Sequence, residues 1–570
     1  MEVEERKHYT PAATLCLLRL LMKITPPLTS VLLLLACAAM RLKAANFDVK
    51  NFGATGDGQT LDTGAINQAI ETAAAAGGGT VIFSAGNYLS FSIRLKSNIT
   101  LQLEAGATII AAEPSTEEGH AYDAAEPNPS EFYQQYGHTH WHNSLIWGEN
   151  LENVSIIGPG RIFGRGLSKG TDHAFRSPLP EERKAGIKFP DAPDAPTAAT
   201  VKSGPFNLPR AADSLPPRVG NKAIALKNCR GVIFRDFTIY HGGHFAILAS
   251  GVDNWTCDNL KIDTNRDGID FDCCQNVRVS NCSVNSPGDD GLCLKSTLAL
   301  GHPRVTENIT ITNCQLSGYD EGTFLDGTRQ RHGSPGLPTG RIKFGTESDG
   351  GFKNITISNC IFEYCRGFAL EMVDGGQLED VTITNITMRD LVNPPIFIRL
   401  GARLRAPEGT AVGVCRRIKI SNLVAHNVSA QAGILIVGLP GHPIEDVSLS
   451  NIFIDYVGGG TKEQAGRAVP EMEKEYPEPG AFGILSSWGL FARHVKNLSV
   501  DHVELRVAKD DLRPTAWLED VMDASFDRVK FPHAAETPSF MLKAVTGFAV
   551  HSSPGLPETN RLEKIVADKL

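Results

Sequence analysis

The stretch Asn276-Val-Arg-Val-Ser-Asn-Cys282 decides the fold, because it returns twice with small changes further along the chain. The two copies are Asn308-Ile-Thr-Ile-Thr-Asn-Cys314 and Asn354-Ile-Thr-Ile-Ser-Asn-Cys360. Apolar and polar side chains alternate in each copy, which is typical of a strand with one buried face. Units that each expose an apolar face bury it by stacking on one another. The repeat therefore predicts a solenoid of short strands.

Looser copies lie on both sides of these three, and the spacing between copies is uneven. From Cys282 to Cys314 the separation is 32 residues, and from Cys314 to Cys360 it is 46. Variable loops on a constant core predict an all-β, right-handed parallel β-helix. The asparagine that ends a copy suits a left-handed turn, where its amide can bond to the neighbour stacked on it. The looser copies begin at Asn153, Val381, Arg417, Val447 and Val495.

Other segments predict how the solenoid is closed and covered. Residues Ala65–Gly77 have the amphipathic pattern of a helix, which we expect to cap the open N-terminal end. Residues 113–220 are rich in Pro, Ala and His and have few strand patterns, so they predict long loops over one face. Residues 458–479 predict another such loop. Because no linker divides the chain, we expect a single catalytic domain over residues 46–570.

The composition is that of an ordinary globular protein with ample material for a core. Of the 570 residues, 42% are hydrophobic and 21% are charged. The net charge of −9 argues against a nucleic-acid partner. An anionic substrate stays open, because a basic cleft can lie on an acidic body. We expect a monomer.

The first 45 residues have the pattern of a leader that precedes the domain. Met22-Lys23 begins a charged region, and Val31–Ala39 is an apolar run too short to span a membrane. Residues 22–45 therefore predict a signal peptide and an exported protein, secreted or periplasmic. Residues 34–37 also match a lipoprotein acylation motif loosely, which leaves a lipid anchor at Cys37 open.

The cysteines predict buried thiols rather than a disulfide framework. Cys282, Cys314 and Cys360 occupy the same place in the repeat, where stacked residues form a buried ladder. Cys273 and Cys274 are adjacent, and adjacent cysteines bridge each other rarely because of strain. The Asn-X-Ser/Thr triplets fall mostly inside strand patterns, and we interpret them as repeat chemistry rather than glycan sites. They include Asn98, Asn153, Asn308, Asn354, Asn385 and Asn427.

Two acidic clusters point to a reaction. Asn265-Arg266-Asp267-Gly268 and Ser286-Pro287-Gly288-Asp289-Asp290-Gly291 each follow a strand pattern, and we expect them on neighbouring turns of the solenoid. Stacking would bring their carboxylates to one face. Glycoside hydrolysis needs such a group, with one carboxyl to donate a proton and others to activate water. The alternative is that these Asp-Gly pairs only form turns.

The clusters and two further motifs resemble a known family. Residues Asn265–Asp270 resemble the Asn-Thr-Asp motif of polygalacturonases, glycoside hydrolase family 28. Gly288-Asp289-Asp290 resembles their paired aspartates, and Gly345-Thr346-Glu347-Ser348 resembles their Gly-Ser-Glu segment. Residues Phe52–Gly58 are similar to the N-terminal motif of the pectate-lyase-like β-helix superfamily. The similarity covers residues 46–531.

The resemblance implies an inverting glycosidase that cleaves pectic polysaccharides or oligosaccharides without a metal or other cofactor. It implies Asp289 as the general acid, with Asp267 and Asp290 activating water. Inverting carboxyls lie about 6.5–9.5 Å apart, which strands about 4.8 Å apart supply with an offset along the strand. Two other functions stay open, a calcium-dependent polysaccharide lyase and a non-catalytic glycan-binding protein on the same scaffold.

The chain departs from the family at the residues that would bind a uronate. The family's Gly-His-Gly would fall near Thr339-Gly340-Arg341, where no histidine stands, and its Arg-Ile-Lys would fall near Ala369-Leu370-Glu371. Arg341-Ile342-Lys343 spells the second motif one repeat too early, and it can still place two substrate-binding cations in the cleft. We therefore expect a neutral or differently placed sugar at the cleaved bond, as in rhamnogalacturonan or a pectin side chain.

Three further residues are candidates for substrate contacts. Lys295, five residues past Asp290, is predicted to bind substrate or orient an aspartate, and its alternative is a solvated surface lysine. His244 lies one turn before Asp267 and is predicted to contact substrate, the alternative being a structural hydrogen bond. Glu347 belongs to the Gly-Thr-Glu motif and is predicted to lie at the site.

A basic cluster and a histidine-rich stretch complete the set. Arg399, Arg403 and Arg405 either replace the lost clamp, with Arg399 binding substrate, or are exposed. His138-Thr-His140-Trp141-His142 could place alternating histidines on one face of a strand, as a zinc site requires. No cysteine or acid stands at a recognisable spacing from them. We therefore interpret the stretch as a loop wall that offers Trp141 and the histidines to a sugar, and we predict no metal.

Overall fold

The computed structural model describes residues 45–130, 133, 137–168, 218–331, 338–429 and 433–570. The predicted signal peptide and Cys37 lie outside these residues, apart from Ala45. The described chain winds into coils, and strands of successive coils pair in parallel. This confirms the all-β, parallel β-helix that the repeat predicts.

Three parallel sheets run along the solenoid, and the one that carries the acidic clusters is called the site sheet. The site sheet contains Ile93–Arg94, Ile146–Glu149, Lys222–Lys227, Phe245–Ser250, Asp267–Asp272, Leu292–Ser296, Ile342–Ser348, Phe368–Met372, Ile396–Leu400 and Ile434–Val437. The second sheet contains Ala45–Asp48, Gly79–Phe83, Ile99–Leu103, Glu152–Ile157, Arg230–Arg235, Asp253–Asp258, Gln275–Ser280 and Thr306–Thr312. The third contains Asp57–Leu61, Gly86–Ser90, Ala107–Ala111, Arg161–Phe163, Thr238–Tyr240, Lys261–Asp263, Ser283–Asn285 and Gln315–Ser317.

Longer strands continue the solenoid toward its C-terminal end. Each of them bends and pairs in more than one sheet, and the pairing continues through the tight turn between the sheets. They are Phe352–Glu363, Gln377–Arg389, Val414–Val428, Ile444–Gly458, Leu490–Lys509, Ala516–Asp527 and Phe540–His551. Two antiparallel strands, Thr559–Arg561 and Ile565–Lys569, pair with the last of these and close that end.

The interior is filled by apolar side chains that stack in register from coil to coil. Ile247, Ile269 and Leu292 occupy equivalent positions on successive strands, and none is exposed to solvent. Cys282 and Cys360 are likewise buried at the ends of their repeats. The ten described cysteines are all buried and unpaired, which confirms the prediction of free thiols.

Asparagines at the turns form ladders along the outside of the solenoid. Asn308 and Asn354 have left-handed backbone conformations, with φ of 57° and 53°. Asn354 donates from Nδ2 to Asn308 Oδ1 at 2.7 Å, and Asn308 donates in the same way to Asn276 at 3.0 Å. A second ladder runs through the asparagines that end the repeats, where Asn385 donates to Asn359 at 3.1 Å. The predicted role of these asparagines as stacked turn residues is confirmed.

One helix, Thr63–Ala75, covers the N-terminal end, two residues earlier than predicted. The Asp62 carboxylate before it accepts hydrogen bonds from Thr55 N at 2.7 Å and Gly56 N at 3.1 Å, so the Phe52–Gly58 motif anchors this cap. The face of the helix against the coils consists of Ile66, Ala69, Ile70 and Ala73. In the described part of the chain, no helix has the length and apolar character that crossing a membrane requires.

Two loops fold against the outer face of the site sheet. The upstream loop, residues 112–145, precedes Ile146–Glu149, and the downstream loop, residues 459–489, precedes Leu490–Lys509. The downstream loop contains a short helix, Lys462–Ala465, and a 3-10 turn, Pro479–Phe482; another 3-10 turn, Val49–Phe52, lies near the N-terminal cap. Loops were predicted over residues 113–220 and 458–479, and residues 131–132, 134–136 and 169–217 of the first prediction lie outside the described residues.

The asparagine ladder predicts a specific loss of stability in the variant Asn354→Ala. Alanine loses the amide bond to Asn308 and has to adopt a left-handed conformation, so the free energy of unfolding should fall by about 1–2 kcal/mol. Asn354→Gly is the matched control, because glycine tolerates the conformation and loses only the amide bond. Urea denaturation followed by circular dichroism measures both. Equal losses in the two variants would contradict the backbone part of the argument.

Candidate active site

Two turns of neighbouring coils bring the acidic clusters together. Asp267 begins a strand of the site sheet, and Asp289-Asp290 directly precede the next strand, Leu292–Ser296. One carboxylate oxygen of Asp267, one of Asp290 and the Cys293 sulfur lie within 4.8 Å of one another. The glycines beside them allow this approach: a Cβ on Gly268 would lie 2.3 Å from the carbonyl oxygen of Gly291.

The three aspartates differ in their access to solvent. Asp267 is 4% exposed and Asp290 is 2% exposed, whereas the Asp289 side chain is 28% exposed. Asp289 Oδ2 accepts a hydrogen bond from Arg266 Nη2 at 2.5 Å, and the Arg266 side chain is equally exposed. Asp289 is therefore the member of the group that bulk solvent reaches, while the other two lie beneath it in a nearly closed site.

The two buried aspartates have opposite electrostatic surroundings. Burial and the negative charges of Asp289 and Asp270 raise the pKa of Asp267 well above its usual range. Burial also acts to raise the pKa of Asp290, but Lys343, Arg341 and Lys295 outweigh it and lower that pKa. Arg341 Nε donates to Asp290 at 2.8 Å, and Lys343 Nζ lies 3.5 Å from the other oxygen.

This contrast assigns the protons of the pair. It favours the ionised form of Asp290 and the protonated form of Asp267. When the surroundings shift the pKa values of two close carboxyls in opposite directions, the two can take different acid and base roles in a reaction.

Lys295 is buried and is held between two carboxylates. Its Nζ lies 3.3 Å from Glu347 and 3.8 Å from Asp270, and the residue is 5% exposed. The alternative of a solvated surface lysine is therefore wrong. Glu347 also accepts from Arg405 Nη2 at 2.7 Å. Although burial opposes it, the cations Lys295, His138, Arg405 and Arg403 lower the pKa of Glu347 well below its usual range, so Glu347 is an ionised anchor for Lys295.

Arg341 and Lys343 do place two cations in the cleft, but both already have acidic partners. Lys343 Nζ lies 3.5 Å from Glu371. Glu371 stands at the position where the family motif has its lysine. Burial, opposed by Lys343, raises the pKa of the Glu371 carboxyl to about 7. Ala369 lies opposite Lys343 in the register and packs in an apolar cluster, so that position offers no substitute cation.

The basic cluster after residue 395 is buried rather than exposed. Arg399 is 1% exposed and donates to the carbonyl oxygens of Met472 at 2.7 Å and Gly438 at 3.2 Å. It therefore fastens the downstream loop to the coils, which does not favour its predicted contact with substrate. Arg403 forms a bidentate pair with Asp374. The predicted alternative of exposed arginines is wrong, because loop 459–489 and buried carboxylates cover them.

Trp141 was expected to face a sugar, and this prediction is wrong. The indole is fully buried, with Nε1 donating to Ser250 Oγ at 3.1 Å, and it packs with Phe245 and Leu248 on the outer face of the site sheet. The physical reason is that these strands present apolar residues outward, which need a cover. The indole of Trp141 supplies it.

The histidines around Trp141 lie apart from one another. His138 Nε2 lies 3.6 Å from Asp270, His140 Nδ1 lies 2.7 Å from the carbonyl oxygen of Glu126, and His142 Nε2 lies 3.0 Å from Glu149. Each has its own neighbour, so the three do not converge on one point as a zinc site requires.

His244 lies beside the aspartates but is almost buried. It is 6% exposed and its ring is 4.3 Å from that of Phe245. Burial, followed by the positive charge of Arg266, lowers the pKa of His244 well below its usual range, so the ring is neutral near pH 7. A neutral imidazole there can exchange hydrogen bonds with a sugar hydroxyl but supplies no charge.

The sequence did not indicate that the downstream loop supplies two site residues. Tyr476 lies with its ring 5.5 Å from Lys343 Nζ, and its hydroxyl accepts from Thr346 Oγ1 at 2.9 Å. The Glu478 carboxylate contacts Arg341 and lies 3.0 Å from Arg366 Nη1. Local patterns identified a loop but could not show which of its residues reach the coils.

Both loops cover the outer face of the site sheet on either side of the acidic clusters. Upstream, Trp141 packs over Leu248 and Ala225. Downstream, an apolar cluster covers the face with Ala369, Phe397, Leu435, Val437, Phe482, Leu485 and Phe491. Among the described residues between them, the Asp289 side chain is 28% exposed and Tyr476 is 42% exposed.

Comparisons with known proteins agree with this architecture. A family model described as rhamnogalacturonase A/epimerase, pectate lyase-like, matches residues 46–292. A model of the right-handed β-helix region matches residues 218–461. The chain is therefore a right-handed parallel β-helix, as the sequence predicts, and residues 46–292 are similar to the pectate-lyase-like family model.

Particular relatives are enzymes of pectin breakdown. An exo-poly-α-D-galacturonosidase of Dickeya chrysanthemi is 23% identical in a matched region that covers 62% of this chain and 56% of that protein's length. A probable polygalacturonase of Vitis vinifera is 24% identical, covering 73% of this chain and 76% of that protein. The family 28 exopolygalacturonase of Yersinia enterocolitica has a TM-score of 0.55 at 18% identity, covering 90% of this chain and 78% of that one. The resemblance to family 28 polygalacturonases is thus confirmed.

The raised pKa of Glu371 predicts how the stability of the protein depends on pH. The folded state holds this proton up to about pH 7, whereas the ordinary glutamate value is 4.5, so the contribution is complete below pH 4.5 and is lost as pH rises through 7. Relative to wild type, Glu371→Gln should therefore lose less stability between those pH values. The difference should be of the order of 1–3 kcal/mol. Urea titrations at several pH values measure it.

The matched control is Glu475→Gln, because Glu475 is an exposed carboxylate of the downstream loop. It should reproduce the pH dependence of the wild-type protein. Parallel curves for Glu371→Gln and wild type would contradict the assignment of the proton to Glu371.

Proposed function

We propose that the protein is an inverting glycoside hydrolase that acts on pectic polysaccharides or oligosaccharides. The observation that carries the proposal is the grouping of Asp267, Asp289 and Asp290 on two adjacent coils, where the surroundings raise the pKa of Asp267 and lower that of Asp290. The pectin-degrading relatives support the class of substrate. The leader pattern supports export, where such glycans are met.

Distances support a division of roles among the three carboxyls. Asp267 and Asp290 lie within 4.8 Å of each other, too close for an acid and a base on opposite sides of a sugar, which are about 6.5–9.5 Å apart in inverting enzymes. They fit a pair that holds one water, with ionised Asp290 taking the proton and Asp267 positioning the water. Asp289 is then the proton donor to the leaving oxygen.

Substrate has to change one contact before Asp289 can donate. Arg266 donates to Asp289 Oδ2 at 2.5 Å and so occupies one of the two oxygens that could carry the proton. Both side chains are 28% exposed, so a sugar entering the pocket can separate them. Lys295, His244 and Tyr476 line the surrounding region and are the proposed substrate contacts. Binding and proton transfer are thereby coupled, because the acid becomes competent only when the pocket is filled.

The closed outer face favours attack at a chain end. A polymer that runs along the solenoid would have to cross either Trp141 and its apolar neighbours or the cluster around Phe397 and Phe482. A pocket bounded on both sides accepts the terminal part of a chain instead. An exo mode is also what the name of the Dickeya chrysanthemi relative states for that protein.

A calcium-dependent lyase is the less favoured alternative. The candidate ligand group in the described residues is Asp267, Asp290 and Cys293. Calcium takes six to eight oxygen ligands, whereas this group includes a thiol, and Asp290 is already paired with Arg341 and Lys343. The donor set therefore suits proton transfer better than calcium.

The proposal predicts that Asp289→Asn loses turnover while the fold persists. The turnover number should fall by about 10²–10⁴-fold, because proton donation to the leaving oxygen is removed. Reducing-end assays on rhamnogalacturonan, galacturonan and pectin side chains measure it, and NMR of the first product reports whether the anomeric configuration is inverted. Asp510→Asn, at an exposed aspartate outside the site, is the control.

Near-normal turnover in Asp289→Asn would refute the assignment of the acid. An unsaturated product absorbing in the ultraviolet, abolished by chelator, would instead establish the lyase.

A further inference from the structure

Three cations of the coils converge on a single carboxylate of the downstream loop. Arg341 donates to both oxygens of Glu478, to Oε2 at 3.3 Å, and Arg366 Nη1 lies 3.0 Å from the same Oε2. Lys343 Nζ lies 3.8 Å from Oε1. A planar guanidinium with further positive charge around it is the arrangement that proteins use to bind a carboxylate from outside. Here the chain's own side chain fills it.

Glu478 is held in this position from both sides. Tyr476, two residues earlier, accepts a hydrogen bond from Thr346 Oγ1 at 2.9 Å. Pro479 and Phe482, directly after it, are buried, and Phe482 packs with Phe397 beneath Arg399. The carboxylate is thus part of the pocket wall rather than the tip of a mobile segment. It still borders solvent, since its side chain is 26% exposed.

Each cation of this group already has a carboxyl partner without a ligand. Arg341 faces Asp290, Lys343 faces Asp290 and Glu371, and Arg366 faces Glu478. An incoming uronate would bring a further negative charge next to Glu478 and would find no cation without a partner among these three. A like charge at this distance disfavours binding, whereas a neutral sugar meets no such cost.

We propose that Glu478 is a specificity-determining residue, which occupies the carboxylate site of Arg341, Lys343 and Arg366 and thereby makes the pocket select an uncharged sugar over a uronate. This deepens the proposed function, since it names the charge state of the sugar beside the scissile bond. The role of Glu478 nevertheless concerns only which sugar binds, not how the bond is cleaved. Removing the Glu478 side chain should convert the wall into an open anion site.

The test compares D-galacturonate with its methyl ester, which has the same sugar without the negative charge. In Glu478→Ala, galacturonate should bind at least tenfold more tightly than to the wild type, while affinity for the ester should change little. The gain should shrink as salt is raised, because it is electrostatic. Isothermal titration calorimetry measures the affinities, and a shift in melting temperature with galacturonate, seen in the variant only, gives a second readout.

Two further variants separate charge from shape and from general effects. Glu478→Gln keeps the volume and removes the charge, so it should lose the discrimination against galacturonate even where Glu478→Ala fails to fold. Glu475→Ala removes an exposed carboxylate three residues away and should behave as wild type. Wild-type protein that binds galacturonate as tightly as the Glu478 variants would overturn the proposal, and so would variants that gain no preference for the charged sugar.

These outcomes are independent of catalysis. Absence of hydrolysis on every glycan would leave the binding result standing. Conversely, full activity of the wild type at a galacturonate residue in the pocket would overturn the role of Glu478 and leave the hydrolase intact.

Discussion

The structure depends on the parallel pairing of each coil with the coils on either side, at the spacing of about 4.8 Å that backbone hydrogen bonds impose. Every outward side chain of the site sheet therefore has a neighbour directly above and below. Asp270, Cys293, Lys343 and Ala369 form one such column. Because loops cover much of this face, water cannot screen the charges within it, and they have to neutralise one another. The alternation of Asp290, Lys343 and Glu371 is the result, and burial still raises the pKa of Glu371 to about 7 although Lys343 opposes the shift.

The same constraint gives coils and loops different structural roles. The coils are fixed in spacing and orientation, so they suit groups whose separation has to be exact to a fraction of an ångström, such as Asp267 and Asp290. Loops between them vary in length without disturbing the stack. The downstream loop uses that freedom to bring Tyr476 and Glu478 over the coils, and buried Arg399 holds it there through backbone carbonyls. In the proposed function, catalytic geometry and substrate choice thus reside in different parts of the chain.

The sequence predicted the features that depend on short-range patterns of residues. The alternation in Asn276–Cys282 and its copies identified the solenoid, and asparagine's tolerance of left-handed turns identified the ladders. Glycines beside Asp267 and Asp290 marked the turns that bring these acids together. Each of these features depends on residues a few positions apart or on a repeat of one coil.

Burial of the outer face was not predictable in this way. Whether Trp141 faces solvent or a strand depends on where a long loop comes to rest, and so does the environment of Lys295 and Arg399. The contact between Arg341 and Glu478 joins residues 137 positions apart. No local pattern encodes such a pairing. The sequence around an arginine in a basic cluster does not differ between an arginine that a loop covers and one that is exposed.

The unpaired thiols inside the coils have a consequence for where this protein can mature. All ten described cysteines are buried without a bridge, so the cohesion of the described coils comes from stacked backbone pairing, apolar side chains and side-chain contacts such as the asparagine ladders. Disulfides are common in proteins that fold in an oxidising compartment, but these coils need none of them. The stability of the described solenoid should therefore be the same with and without a reductant.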